Sequence, residues 1–144
     1  MRVRYSGREG GHNMFSYFDN IDLSRNTDDI VTGVNASAYH GLCPSNPSVV
    51  ELVNFDEDSP RYLPFGLYVL INNGTVEEVY EENGLKYVGK FRALEDLIIS
   101  FSDDSAIEES LDTLKYEGNL DDFMGYVQAR NPDLIETFRH LMPD

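Results

Sequence analysis

Leu63 to Phe91, LPFGLYVLINNGTVEEVYEENGLKYVGKF, carries two Asn-Gly pairs, Asn73-Gly74 and Asn83-Gly84, each between runs rich in β-branched and aromatic residues. An Asn-Gly pair lets both central residues of a type I′ turn take positive φ, and the twist of that turn suits a two-residue hairpin. Centring such a turn on Asn83-Gly84 sets Glu82 opposite Leu85, Glu81 opposite Lys86, Tyr80 opposite Tyr87 and Val79 opposite Val88. Extended further, Glu77 meets Lys90 and Val76 meets Phe91. Both lysines then land on glutamates and the large apolar residues on each other. Such cross-strand pairs contribute roughly 0.2–1 kcal/mol each, and a one-residue slip loses all of them together. The same construction at Asn73-Gly74 pairs Ile71 with Val76 and Leu67 with Tyr80. The expectation is an antiparallel three-stranded meander over about 66–91. Its core face collects Leu67, Val69, Ile71, Val76, Tyr80, Leu85, Tyr87 and Phe91, interrupted only by Glu78 beside Gly89.

After the meander the apolar period changes from two to about 3.6. RALEDLIISF places Leu94, Leu97, Ile98 and Phe101 on one face of a helix. Ser105 with Glu108 reads as a capping box before Ile107, Leu111 and Leu114, and Gly118 as the stop of that helix. Asn119 caps a third helix with Leu120, Phe123, Met124 and Val127 inward. Asn131-Pro132 opens a fourth, carrying Leu134, Ile135, Phe138, Leu141 and Met142. Strands followed by a run of helices imply an α+β fold, with helices packed on the sheet and a C-terminal cluster of short helices.

The N-terminal part reads less sharply. MRVRYS suits a short strand, and residues 1–13 as a whole are expected to form a mobile lead-in. Thr27 offers a cap for a helix through Ile30, Val31, Val34 and Ala38, although Gly33 and the β-branched residues work against it. Asn46-Pro47 suggests a short helix through SVVELVNF, against the strand preference of Val49, Val50 and Val53. A chain of 144 residues suits one domain, 1–144, large enough to bury a sizeable core.

Bulk properties narrow the function classes. Hydrophobic content of 41% and aromatic content of 12% suit a folded protein. There is no apolar run of the roughly 18 residues that span a bilayer, and no apolar segment follows the basic N-terminus as a secretory signal requires. One cysteine suits a reducing cytoplasm. The net charge is −15 and unevenly spread: Arg2, Arg4, Arg8 and Arg25 lie in the first 25 residues, but Lys115 is the only base between Ala93 and Ala129. Such a field repels nucleic acid and anionic membranes and attracts basic partners.

Few residues offer chemistry. Cys43 is the one candidate nucleophile, with His40 three residues earlier in AYHGLCP, a pair that suits a small cytosolic enzyme only if the fold brings thiol and imidazole together. The alternative is a turn that holds a small apolar cysteine. No zinc spacing, calcium loop or phosphate loop is present, and neither metal nor cofactor is expected. The carboxylates are the denser feature. A helix that docks by Ile107, Leu111 and Leu114 turns Glu108, Glu109 and Asp112 outward, and Glu117, Asp121 and Asp122 follow. That face suits a basic protein such as a nuclease or another nucleic-acid-binding enzyme, or it serves solubility alone.

YLPFGLYVLINNGTVEEVYEENGLKYVGKFRALEDLIISF, about residues 62–101, has Pro64-Phe65 ahead of a strand, Asn73-Gly74 at a turn, and FRALEDLI opening a helix. In these features it resembles the C-terminal half of the SUKH superfamily, which includes many bacterial immunity proteins. The remainder of the chain has no counterpart in that pattern. The resemblance implies a non-enzymatic protein that binds and neutralises a toxin, and it assigns no binding residue. Charge and resemblance together lead to an acidic, non-catalytic inhibitor of a basic partner: an immunity protein, or a phage-encoded inhibitor or DNA mimic. A structural or assembly component is the remaining class.

Overall fold

In the computed structural model, residues 2–5, 30–46, 49–53, 62–63, 67–72 and 76–143 are described. The strands are β1 (Arg2–Tyr5), β2 (Ile30–Thr32), β3 (Val49–Val53), β4 (Tyr62–Leu63), β5 (Leu67–Asn72), β6 (Glu78–Glu82) and β7 (Leu85–Val88). The helices are α1 (Gly33–Tyr39), α2 (Lys90–Ser100), α3 (Asp104–Glu117), α4 (Leu120–Arg130) and α5 (Leu134–Phe138), the last running into a 3-10 turn at Arg139–Leu141. The fold is α+β. The strands form one mixed sheet in the order β1-β6-β7-β2-β3-β5-β4.

The second Asn-Gly pair does what its chemistry dictates. Asn83 and Gly84 both take positive φ, 54° and 80°, and β6 pairs antiparallel with β7 in the register Val79 to Val88, Tyr80 to Tyr87, Glu81 to Lys86 and Glu82 to Leu85. The third strand of the expected meander lies elsewhere. β5 does not join β6; it runs parallel to β3, with Ile71 beside Leu52, and antiparallel to β4, with Leu67 beside Leu63. The free edge of β6 is taken by β1, which runs parallel to it. An Asn-Gly pair permits a tight turn without compelling one, and Asn73-Gly74 itself lies outside the described residues. LYVLI is a near-continuous apolar run, which suits a strand with a parallel neighbour.

The hairpin is also shorter than expected. β7 ends at Val88, and Lys90 and Phe91 belong to α2, so Glu77 does not face Lys90 in a ladder, nor Val76 Phe91. Lys90 instead pairs with Glu117 and Glu77 with Arg130. Both faces of the hairpin are covered: Leu85 and Tyr87 are buried, and so are Val79 and Val88 at 2% and 0% exposure. The side chains of Leu67, Val69 and Ile71 lie outside the described residues. Glu78, the polar interruption, sets a carboxylate oxygen 3.0 Å from where a side chain on Gly89 would begin. Gly89 is the N-cap of α2, whose first turn has no acidic residue and no side-chain cap. The positive end of the helix dipole favours a carboxylate there.

Two expected helices give way to strands. Ile30, Val31 and Thr32 form β2 at the centre of the sheet, between β7 and β3, and the helix begins only at Gly33. Thr27 lies outside the described residues. Val49–Val53 is β3, because a run of β-branched residues between two strands gains more from burial on both faces than from a proline-led helix start. Asn46 serves a different purpose: the Asn35 side chain donates to the Asn46 carbonyl at 3.1 Å and to that of Val49 at 2.6 Å, and accepts from the Asn46 N–H at 2.9 Å. That exchange ties α1 to the entry of β3.

The four C-terminal helices occur where their periodicity places them. Asp103, not Ser105, caps α3, its carboxylate accepting from the Ala106 N–H at 3.0 Å. Asn131 and Pro132 form a turn that accepts from Leu134 and Ile135, so α5 starts two residues beyond them. One core cluster joins the sheet to α1 through residues such as Tyr39, Leu52, Tyr87 and Val88. A second joins α2 to α5 through Leu94, Leu97, Leu111, Phe123, Val127 and Phe138. Each fully buried side chain of this size stabilises the fold by about 1.5–3 kcal/mol. α2 is buried from Arg92 through Ile98, charged residues included. A helix covered on so much of its circumference sits between layers rather than on one.

Candidate functional site

Cys43 and His40 follow α1. The thiol is half-buried, and burial pushes it up to about 11. The thiol donates to the Val34 carbonyl at 3.8 Å; the Ser110 hydroxyl works against the rise, while Glu109 and Asp103 add to it. A catalytic thiolate needs the opposite shift. The His40 ring sits with Nε2 2.7 Å from the Val88 carbonyl, which makes Nε2 the protonated nitrogen. Its ring meets Tyr39 and Tyr80 edge-on, at 5.0 and 4.8 Å between centroids. His40 thus packs the turn after α1 against the hairpin, whereas Cys43 packs against the helical core beside α3.

The acidic residues named from the sequence lie on α3 and the start of α4. Glu108, Glu109, Asp112, Glu117, Asp121 and Asp122 are all exposed. Ile107, Leu111 and Leu114 hold α3 in the core, so the 3.6-residue repeat turns the carboxylates outward. Glu117 is drawn toward Lys90 at 3.5 Å. Among them stands Tyr116 at 92% exposure, the most exposed of the large hydrophobic side chains described. Asp112 is one turn before it and Glu109 two turns.

A different site was missed by the pattern reading. Strand β6, the turn after α1, the start of α2 and the end of α4 line a half-open cavity of about 560 Å³. His40, Tyr80, Phe91 and Tyr126 supply its rings, Lys90, Arg92 and Arg130 its cations, and Glu77 and Glu78 its carboxylates. A second cavity of about 390 Å³ shares Arg92 and Arg130 and adds Glu95, Asp96, Ile99 and Asn131. The two arginines form the partition between them.

Each arginine is held from behind by a buried carboxylate. Arg92 Nε donates to Asp96 at 2.9 Å, one helical turn on, and the Thr32 hydroxyl donates to the same oxygen at 2.6 Å. Arg130 Nε donates to both oxygens of Glu95, at 3.1 and 3.3 Å, while Nη1 reaches Glu77 at 3.5 Å. The guanidinium of Arg130 also lies 5.0 Å from the centre of the Tyr126 ring. Burial raises both Glu95 and Asp96 above the usual carboxylate range, against the pull of Arg130 and Arg92 respectively. Burial, with Glu95 adding, pushes the Tyr126 phenol up to about 12, so it is a neutral hydroxyl at physiological pH.

A sequence signal for this site existed. Lys90 and Arg92 stand at the positive end of a helix, where cations are unfavourable unless something else holds them. Arg92 and Asp96 are spaced four apart on the side of α2 away from Leu94 and Leu97. Arg130 had no signal, because it arrives from α4 across 35 residues. Among the described residues there is no group of three or more His, Cys, Asp or Glu side chains able to hold a metal ion, and no helix is long and apolar enough to cross a membrane. Compared with known proteins, the chain matches no family model, no curated protein and no solved structure.

Proposed function

We propose that this protein is an acidic, non-catalytic inhibitor that acts in the cytoplasm by binding a basic partner through the outer face of α3 and the start of α4. The observation that carries the reading is that Glu108, Glu109 and Asp112 stand exposed within about two turns of the exposed ring of Tyr116 on α3, with Asp121 and Asp122 exposed at the start of α4. Carboxylates at this density steer a basic protein toward the face. A tyrosine supplies the large amphipathic contact on which interface affinity commonly concentrates. A nuclease toxin or another nucleic-acid-binding enzyme is the partner class whose own surface is basic, so an immunity protein and a phage-encoded inhibitor or DNA mimic share this chemistry. The resemblance of residues 62–101 to the SUKH superfamily favours the toxin-neutralising form.

The test is capture of the partner from the native host by the tagged protein, repeated with Glu108→Lys, Glu109→Lys and Asp112→Lys combined. These positions are exposed, so the melting temperature is expected to stay within a few degrees, and the captured partner should be lost. A partner of acidic isoelectric point, or one retained in full by the triple variant, overturns the reading.

A further inference from the structure

We propose that the cavity between the hairpin, α2 and α4 binds a small organic anion with a flat ring, its charged group held by Arg130 and Lys90 and its ring lying against Phe91, Tyr80 and Tyr126. At about 560 Å³ the cavity has the size of a small-molecule site. Its wall runs against the charge of the rest of the molecule. The protein carries −15, yet three cations face two carboxylates here. Lys90, Arg92 and Arg130 are half of the six lysines and arginines between Val76 and Pro143.

The placement of the counter-charges matters as much as their number. Glu95 and Asp96, which hold Arg130 and Arg92, line the neighbouring cavity and not this one. Glu95 takes Arg130 at Nε and orients its guanidinium from the rear, the arrangement that fixes an arginine for recognition of a carboxylate or phosphate. The contacts on the front are weak by comparison. Arg130 Nη1 to Glu77 is 3.5 Å long, and that glutamate is 73% exposed. Lys90 to Glu117 is also 3.5 Å, with both side chains about one-third exposed. Exposed pairs of this kind exchange readily, so a ligand oxygen displaces Glu77 and Glu117 at little cost. Glu78 is set beside Gly89 at the start of α2. The ring requirement follows from the remaining wall. Phe91 packs at 5.6 Å from Tyr126, and Tyr126 keeps its proton and so stays a neutral, flat surface. A cationic ligand meets three like charges against two carboxylates.

The experiment is a titration of the intact protein with phenyl phosphate, followed by two-dimensional amide and arginine side-chain NMR, with benzylamine and phenol as cationic and neutral controls. Phenyl phosphate is expected to give saturable shifts at Phe91, Arg92, Tyr126 and the Arg130 side chain, and the controls none that saturate. Lys90→Ala removes one charge-assisted contact from a partly exposed position and should weaken binding roughly tenfold. Lys115→Ala, on the outer face of α3, should leave it unchanged. Arg130→Gln should abolish it, and is read only if its spectrum keeps native dispersion; Lys90→Ala decides the matter otherwise. Failure of phenyl phosphate to saturate overturns the proposal. So does equal response to benzylamine, or wild-type affinity in a folded Lys90→Ala variant.

Discussion

Replacing Gly33 by alanine tests the junction on which the described core turns. Gly33 starts α1 at φ +67°, directly after β2. The left-handed region alone costs an alanine about 1–2 kcal/mol. A second term comes from space: a Cβ there overlaps the carboxylate of Glu51, a fully buried side chain in β3. That carboxylate accepts from Ser100 at 3.1 Å and Ser102 at 3.2 Å, so it cannot swing aside without giving up hydrogen bonds, at about 1–3 kcal/mol for a buried polar group left short. The expected cost of Gly33→Ala is therefore about 2–5 kcal/mol. Gly84→Ala is the internal control. Gly84 has φ +80° with nothing within 4 Å of a Cβ, so only the backbone term of about 1–2 kcal/mol applies. Urea unfolding of both variants with comparable slopes measures the difference. Equal destabilisation of the two shows that the Glu51 carboxylate does not press on Gly33, and the reasoning fails.

Three further outcomes are expected. Glu95 and Asp96 have folded-state pKa values raised above their ordinary 4.5 and 3.8. Their ionised forms therefore cost stability above the folded values, and that cost is relieved as pH falls through those values toward the ordinary ones. Stability in urea should rise as pH falls toward those ordinary values, and Asp96→Asn should flatten the rise; a profile that the substitution leaves unaltered contradicts the assignment. Cys43, with its thiol near 11, should react with iodoacetamide at neutral pH roughly two orders of magnitude more slowly than a free thiol. Cys43→Ala should leave the biological activity intact, whereas a large loss with an unchanged melting temperature restores a catalytic role. Finally, Arg130→Met should destabilise by about 1–3 kcal/mol, because it leaves the Glu95 carboxylate short of its partner; Glu95→Gln in the same background should recover part of the loss, and no recovery points to packing alone.

The parts of the fold that were legible in the sequence are the ones set by neighbouring residues. The β6–β7 register follows from a turn whose two residues accept positive φ and from side chains alternating about it, all within ten residues. The α3 and α4 faces follow in the same way from apolar residues three and four apart. β5 was misplaced because its partner, β3, precedes it by a stretch of chain that no local rule spans, and because an apolar run such as LYVLI accepts a neighbour on either edge. Ile30 to Thr32 reads equally as the first turn of a helix until Gly33 is known to take positive φ. The cavity was hidden by a rule that usually works: charged residues on an amphipathic helix face water. Arg92, Glu95 and Asp96 break it, because Arg130 at the end of α4 reaches Glu95 and Thr32 of β2 holds Asp96, the partner of Arg92.

The association rate of the purified partner, measured as a function of salt, tests the central claim most directly. If the carboxylates on α3 and α4 form the contact, attraction acts before contact and is screened beyond about 8 Å at physiological ionic strength. The on-rate should fall steeply from low to high salt while the off-rate changes little. Reversal of Glu108, Glu109 and Asp112 should remove most of that salt dependence. An on-rate that is flat across the salt range, or a salt dependence that survives the triple reversal, contradicts the account and leaves the acidic face as a solvated surface.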